Sequence, residues 1–481
     1  MSRAINCQLP RQHCPSLASK DRQLPKQDLR TSIQTPTRRT RSRAGLTLIE
    51  IMIALTMTLI VLGAMAQAFK FASAEIANGR AVLEMSNRLR NAQQLLRTDL
   101  AGLTVDVRPH TETAPNGYFE YVDGVNIDST LVNTDNGYLG DWDDILAFTT
   151  RNLDGSFRGR FDNQPIQSAF AEVVWFTQVL DVNSDGNVVD AGTGTPLYED
   201  SVALYRRVLL VRPDLNEALT DATGTAELDA NGNQLHGIQL VDTLEEARLA
   251  LVNNDISMRL IDVGSRFLLA ANSLTDLARR ENRFGRSPVI PYPHEIGRSE
   301  LAATQTNTGD DILLTDLAAF DVQLYSPDAP VDLVDIDSDS VFETALDLAD
   351  TGFNLAATNS SNGSFVDLAV TNNNFSSTEP RFTTNPFERR PGTPVWGFPT
   401  YCTWSPHYES DGIDQDGVLG ADSGINGIDD DDANGVDDDD ELDTAPPYPF
   451  PVRGMKVTFR IIEKNSKQVR QTSVIQNFLP Q

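Results

Sequence analysis

The chain opens on a polar, basic run and then changes character abruptly. From Leu46 to Phe69 it reads LTLIEIMIALTMTLIVLGAMAQAF, 24 residues with one charge, Glu50. About 20 apolar residues span a bilayer core as a helix, so 46–69 is predicted to be transmembrane. The following stretch, KFASAEIANGRAVLEMSNRLRNAQQLLRTDLAGL, has a different pattern. Val82, Met85, Leu89, Ala92, Leu96, Leu100 and Leu103 recur at steps of three and four, which marks one face of a helix. Arg88, Arg90, Arg97 and Asp99 are read onto the polar side. A single helix over 46–103 would be roughly 85 Å long at 1.5 Å per residue. Its apolar stripe would pack on a globular body, and Gly79 is its weakest point.

Beyond Leu103 the pattern shortens to β-like runs separated by Gly, Asn and Asp. Strands are predicted at Ile145–Thr149, Ala171–Val179, Ser201–Val211, Leu317–Tyr325, Met455–Ile462 and Gln468–Phe478. The last two flank EKNSK and read as a hairpin. Residues 243–282, including LEEARLALVNNDISMRL and LTDLARRENR, are read as helical. The predicted class is α+β: a long N-terminal helix packed on an antiparallel sheet domain, 104–481, with long acidic insertions.

Charge sharpens this division. The net charge is −29, which argues against nucleic acid as a partner because phosphate binding draws on Lys and Arg. Residues 1–45 hold ten Lys/Arg against two Asp/Glu, and the remainder is strongly acidic. A basic head on an acidic body is the asymmetry expected of a chain crossing a membrane with its head in the cytoplasm. Of the three cysteines, Cys7 and Cys14 lie in that head. Removal of the head would leave Cys402 alone, so the body would rely on its core or on metal rather than on a disulfide. Nothing near Cys402 in sequence resembles an activating base, and it is read as a buried thiol.

A secretory signal places its small residues after the apolar stretch, whereas here Gly45 precedes it. The run Gly45-Leu46-Thr47-Leu48-Ile49-Glu50 behind a basic leader resembles the class III signal of type IV pilins and type II secretion pseudopilins. The resemblance implies that a prepilin peptidase removes residues 1–45 by cutting between Gly45 and Leu46, then methylates Leu46. The family most often has Phe at that position, and Leu is a departure. The resemblance also accounts for Glu50. A charge at the bilayer centre costs about 2.5–3.5 kcal/mol on insertion scales. The amine of Leu46, with an unperturbed pKa of about 7.7–8.0, would offset that cost when it belongs to a neighbouring subunit. Glu50 would then set assembly register. The competing reading is an ordinary signal anchor that tolerates a glutamate near the interface.

Four body segments, DWDDILAFTT (141–150), AEVVWFTQ (171–178), LYRRVLLVRP (204–213) and LAAFDVQLYSPD (317–328), resemble J-type minor pseudopilins and PilW-like minor pilins more loosely. The implied partners are the prepilin peptidase and other pilins or pseudopilins of one filament. The implied location is the bacterial inner membrane, with the body periplasmic.

Residues 409–443 contain fifteen Asp/Glu and no Lys or Arg, and repeat NGIDDDDA as NGVDDDDE. Crowded carboxylates need counter-ions, and calcium takes six to eight oxygen ligands on Gly-turned loops. Asp430, Asp432, Asn434 and Glu441, with Gly435, match an EF-hand loop at positions one, three, five, twelve and six. Asp437 stands where that loop has an apolar residue, and no helical pattern flanks it. Asp181, Asn183 and Asp185, followed by Gly186, resemble a dockerin-type loop. Asp335, Asp337 and Asp339, with Glu343 following, resemble a β-hairpin calcium loop, with Ser340 where Gly is usual. Structural calcium is the expectation, and a solvated acidic linker is the alternative.

No HExxH, GxSxG, Walker loop or zinc-spaced Cys/His cluster occurs, and the five histidines are scattered. Trp142, Trp175, Trp396 and Trp404 are read as core rather than as a ligand platform. The expected function is structural rather than enzymatic: a minor pseudopilin or minor pilin at or near a filament tip. The rival is a membrane-anchored, calcium-dependent adhesin that borrows the pilin signal for display.

Overall fold

The structure, a computed structural model, describes residues 47–108, 117–124, 140–180, 182, 201–279, 282, 312–334, 344–346, 361–368, 400–403, 419–421, 423–431, 435–436, 441, 451–463 and 468–478. The chain divides into two compact units, Met1–Phe71 and Ala72–Gln481. Helix α1 (Leu48–Ala101) runs without a break through Gly79. Residues Leu48–Phe71 of α1 are all exposed in the first unit.

The second unit is built mostly of antiparallel strands. Its first half carries β1 (Phe119–Val122), β2 (Ile145–Arg151), β3 (Phe157–Phe161), β4 (Gln164–Ser168), β5 (Phe170–Leu180) and β6 (Ser201–Leu210). The middle holds β7 (Glu217–Ala218), β8 (His236–Gly237), β9 (Gln239–Val241), helix α2 (Leu244–Asn253), β10 (Met258–Asp262) and β11 (Phe267–Ala271). The last part has β12 (Ile312–Leu314), β13 (Leu317–Val334), β14 (Thr344–Leu346), β15 (Ser361–Val366), β16 (Thr400–Cys402), β17 (Gly454–Glu463) and β18 (Gln468–Asn477).

The larger sheet has the order β12-β6-β5-β2-β1-β16. The second runs β14-β13-β17-β18, with β15 also paired to β13. A third, β10-β11-β9, lies with α2 against the larger sheet, sharing an apolar cluster with it. Strand alternation explains this layering. Leu146, Phe148, Val173, Trp175, Val202 and Leu204 join Met85, Leu89, Ala92, Leu96 and Leu100 of α1, together with Phe320 and Phe459 of the second sheet. The intervening Ile145, Ala147, Val174, Phe176, Ala203 and Tyr205 join Leu251, Met258 and Leu269 on the opposite face. A sheet covered on both faces needs near-continuous apolar strands, which is why AEVVWFT is buried throughout. Trp142 and Trp175 are core residues, and Cys402 is a buried thiol in β16.

Three expectations are corrected. Asp99 lies on the buried face of α1, not the polar one. Its spacing of three from Leu96 places it there, and the body supplies its partners. Arg206 of β6 grips it with two bonds of 2.7 Å, and the Trp175 indole donates at 3.1 Å. Burial pushes the Asp99 carboxyl up from its ordinary value, while Arg206 and Trp175 pull it back. Segment 243–282 is helical only at Leu244–Asn253 and in the 3₁₀ turn Asp276–Ala278. Between them the chain forms the hairpin β10–β11, turned at Gly264 with φ +99°. Finally, β13 continues past Tyr325 to Val334, through a register shift between Ser326 and Pro330 that accommodates the prolines.

Candidate functional site

Two parts of the molecule carry candidate function, one in each unit. In the first, Leu48–Ser73 is a 26-residue stretch of mean hydropathy 2.3, none of it buried, long and apolar enough to cross a membrane. Its threonine hydroxyls are satisfied internally: Thr56 donates to the Ile53 carbonyl at 2.9 Å and Thr58 to that of Ala54 at 2.5 Å. Lipid offers no other partners, so this matters for a spanning helix. Glu50 closes a capping box with Thr47. The Thr47 backbone N–H and hydroxyl both donate to Glu50 Oε2, at 2.9 and 3.0 Å, and the Glu50 N–H donates to Thr47 Oγ1 at 3.3 Å. Both bonds to the carboxylate fall on one oxygen, which leaves Oε1 for another donor. This local role of Glu50 follows from the T-x-x-E spacing and adds to the assembly role expected of it. Gly45 and Leu46 lie outside the described residues.

Most of the calcium-loop expectations also fall outside them: Asp181, Asn183, Asp185, Asp335, Asp337, Asp339, Glu343, Asp432 and Asn434. Asp430 and Glu441 are described. Glu441 is buried, and its Oε1 accepts from the backbone N–H of Asp430 and, at 3.2 Å, of Asp431. Asp430 Oδ2 accepts from Asn426 at 2.5 Å. The carboxylate oxygens that converge within 4.8 Å belong to Asp429, Asp431 and Glu441. Among the described residues, the convergent set keeps Glu441 of the EF-hand frame and joins to it Asp429 and Asp431, which alternate with that frame's Asp430.

A second acidic group, inside the body, was missed by sequence reasoning. It is assembled from four separate segments. Asp123 follows β1 directly. Asp141, Asp143 and Asp144 precede β2, on a segment tied to β13 by Gly140 N–H to Ala318 O at 2.6 Å and Phe320 N–H to Asp141 O at 2.9 Å. Asp321 and Gln323 are two residues apart on β13 and share a face. Asp367 immediately follows β15. The register pairing Leu324 with Val366 places Gln323 opposite Asp367. Oxygens of Asp123, Asp141 and Asp144 lie within 4.8 Å of one another, as do those of Asp141, Asp321 and Asp367. Asp141 belongs to both triads, and every member is at most 5% exposed.

Donors fix this group only in part. Asp144 accepts from the backbone of Gly124 at 3.0 Å and Val322 at 2.7 Å, and from the Tyr121 hydroxyl at 3.4 Å. Asp123 accepts from the Leu368 N–H, but its Oδ2 is buried with no hydrogen-bond donor. Gln323 Oε1 is likewise buried without a donor. At Gly124 a β-carbon would collide with the Asp143 carboxylate, so glycine is what lets the chain close over the acids. Burial is the first cause pushing the carboxyls of Asp123, Asp141 and Asp144 well above the ordinary aspartate range, and the neighbouring aspartates push them further. The same surroundings raise the Tyr121 hydroxyl and hold it as a neutral donor. An all-oxygen, inward-facing donor set of this kind suits a hard divalent cation. The signal available in sequence was acids interrupting apolar strands, as in FDVQL and SFVDL, rather than acids massed in loops. No protein-family model, curated protein or solved structure matches this chain.

Proposed function

We propose that this chain is a membrane-anchored structural subunit of a pilin-like filament: a minor pseudopilin or minor pilin, incorporated at or near the tip. The observation that carries the reading is helix α1. One uninterrupted helix begins as a fully exposed apolar segment headed by Thr47 and Glu50, and ends as an amphipathic stripe buried in a β-rich body. An anchor and a structural core strut made from one helix suit a subunit that must leave the bilayer with its partners. The GLTLIE signal supplies the processing step, with a prepilin peptidase cutting after Gly45 and methylating Leu46 on the cytoplasmic face of the inner membrane. The large body would then lie in the periplasm. It suits a tip position, because repeated packing along a shaft leaves little space for 410 residues.

Intact-mass and peptide mass spectrometry of the membrane-extracted protein tests this. An N-terminus at Leu46 carrying one methyl group supports the reading. An intact leader, or a cut beyond the apolar segment, would refute it. Co-purification with other pseudopilins or pilins distinguishes a filament subunit from a solitary displayed adhesin.

A further inference from the structure

We propose that Asp123, Asp141, Asp144, Asp321 and Asp367, together with Gln323 Oε1, form a calcium-binding centre inside the β body. The inference is independent of filament assembly and of the acidic loop 409–443. Its first support is convergence: five carboxylates from four segments meet in two triads that share Asp141. Its second support is Gln323. That side chain is neutral, 6% exposed, on the same face of β13 as Asp321, and its carbonyl oxygen meets no donor. A buried carbonyl without a donor is destabilising, a penalty a cation would remove. Asp123 Oδ2 presents the same problem and the same remedy.

The chemistry selects calcium among cations. All available ligand atoms are oxygens, which disfavours zinc and copper. The site offers at least six of them without water, matching the six to eight that calcium takes. Magnesium favours one or two carboxylates, so a group of five carboxylates suits it poorly. Calcium here would join the end of β1, the approach to β2, β13 and the end of β15. It would tie the larger sheet to the second sheet where the β body has no disulfide among its described residues. Asp141 is the shared ligand, and Asp144 is held in place by Gly124, Val322 and Tyr121.

The test uses the full chain in detergent, with calcium or a chelator. Calcium should raise the thermal midpoint by about 3–6 °C at a hundredfold excess over its dissociation constant. Asp321→Asn and Asp141→Asn should abolish most of that shift. In chelator both should be at least as stable as the unaltered chain, since Asn relieves carboxylate repulsion and adds a donor. Glu441→Gln, in the acidic loop, should keep the shift. Terbium bound in place of calcium should emit when tyrosine and tryptophan are excited, and Tyr121→Phe with Trp142→Phe should weaken that emission severalfold. Absence of a calcium shift in the unaltered chain overturns the proposal, as does its loss in Glu441→Gln with retention in Asp321→Asn. If the Asn variants fail to fold, the terbium result decides: emission undiminished in the double aromatic variant places the ion elsewhere.

Discussion

Replacing Glu50 by Gln separates its helix-capping contact from the proposed assembly contact. In the structure Glu50 Oε2 accepts from Thr47 N and Thr47 Oγ1 at 2.9 and 3.0 Å. A glutamine carbonyl accepts the same two bonds, so the capping box survives. Removing the cap altogether, by Thr47→Ala, costs about 0.5–2 kcal/mol and leaves the charge in place. What Gln cannot provide is the proposed ion pair with the Leu46 amine of an adjoining subunit. Two unit charges 4 Å apart interact by about 4 kcal/mol at an effective dielectric constant of 20. Gln also removes a charge from the head of the apolar segment, which favours the unassembled membrane form. Loss of the pair alone corresponds to roughly a thousandfold shift away from incorporation, at 1.4 kcal/mol per factor of ten. Thr47→Ala should stay within about tenfold of the unaltered chain. The assay is quantitative mass spectrometry of the sheared filament fraction against the membrane pool, with cleavage after Gly45 as the control for insertion. Equal incorporation of Glu50→Gln and the unaltered chain would refute intersubunit pairing. Equal failure of Thr47→Ala and Glu50→Gln would reduce Glu50 to a helix cap.

Asp99→Ala strands the Arg206 guanidinium in a site where it is 13% exposed, and should cost about 3–5 kcal/mol. The paired change Asp99→Leu with Arg206→Met should recover most of that loss, as urea unfolding would show. Gly102→Ala should destabilise strongly, because a β-carbon there would fall on the Arg151 carbonyl oxygen where the end of α1 meets β2. Rescue by a larger residue would contradict that geometry. Leu96→Ala, at a fully buried position, should cost about 2–5 kcal/mol. Leu83→Ala, 66% exposed on the same helix, should change stability by less than about 0.5 kcal/mol.

Much of the scaffold was readable along the chain. The four-residue step from Met85 to Leu89, and its continuation to Leu100, identified the buried stripe of α1 because a helix repeats its face at short range. Strands β2, β5, β6, β17 and β18 were found within about two residues of their bounds, since their apolar runs are long and end in turn-forming residues. Composition also led to the exposed apolar helix. The hairpin of β10 and β11 was misread as helix: RLID and FLLAA carry mixed periodicity, and pairing across Gly264 resolved it. Asp99 was misassigned because its charge outweighed its spacing.

The sequence by itself determined the long apolar segment, the amphipathic helix and the strand-rich body, because each is written in local composition or in a repeat only a few residues long. Only the tertiary structure decided that Asp99 belongs to Arg206, and that Asp123, Asp141, Asp321 and Asp367 meet. The latter four are separated by up to hundreds of residues, and antiparallel pairing brings their oxygens together. A carboxylate's chemistry depends on what surrounds it in space. Local spacing cannot reveal neighbours that arrive from another sheet.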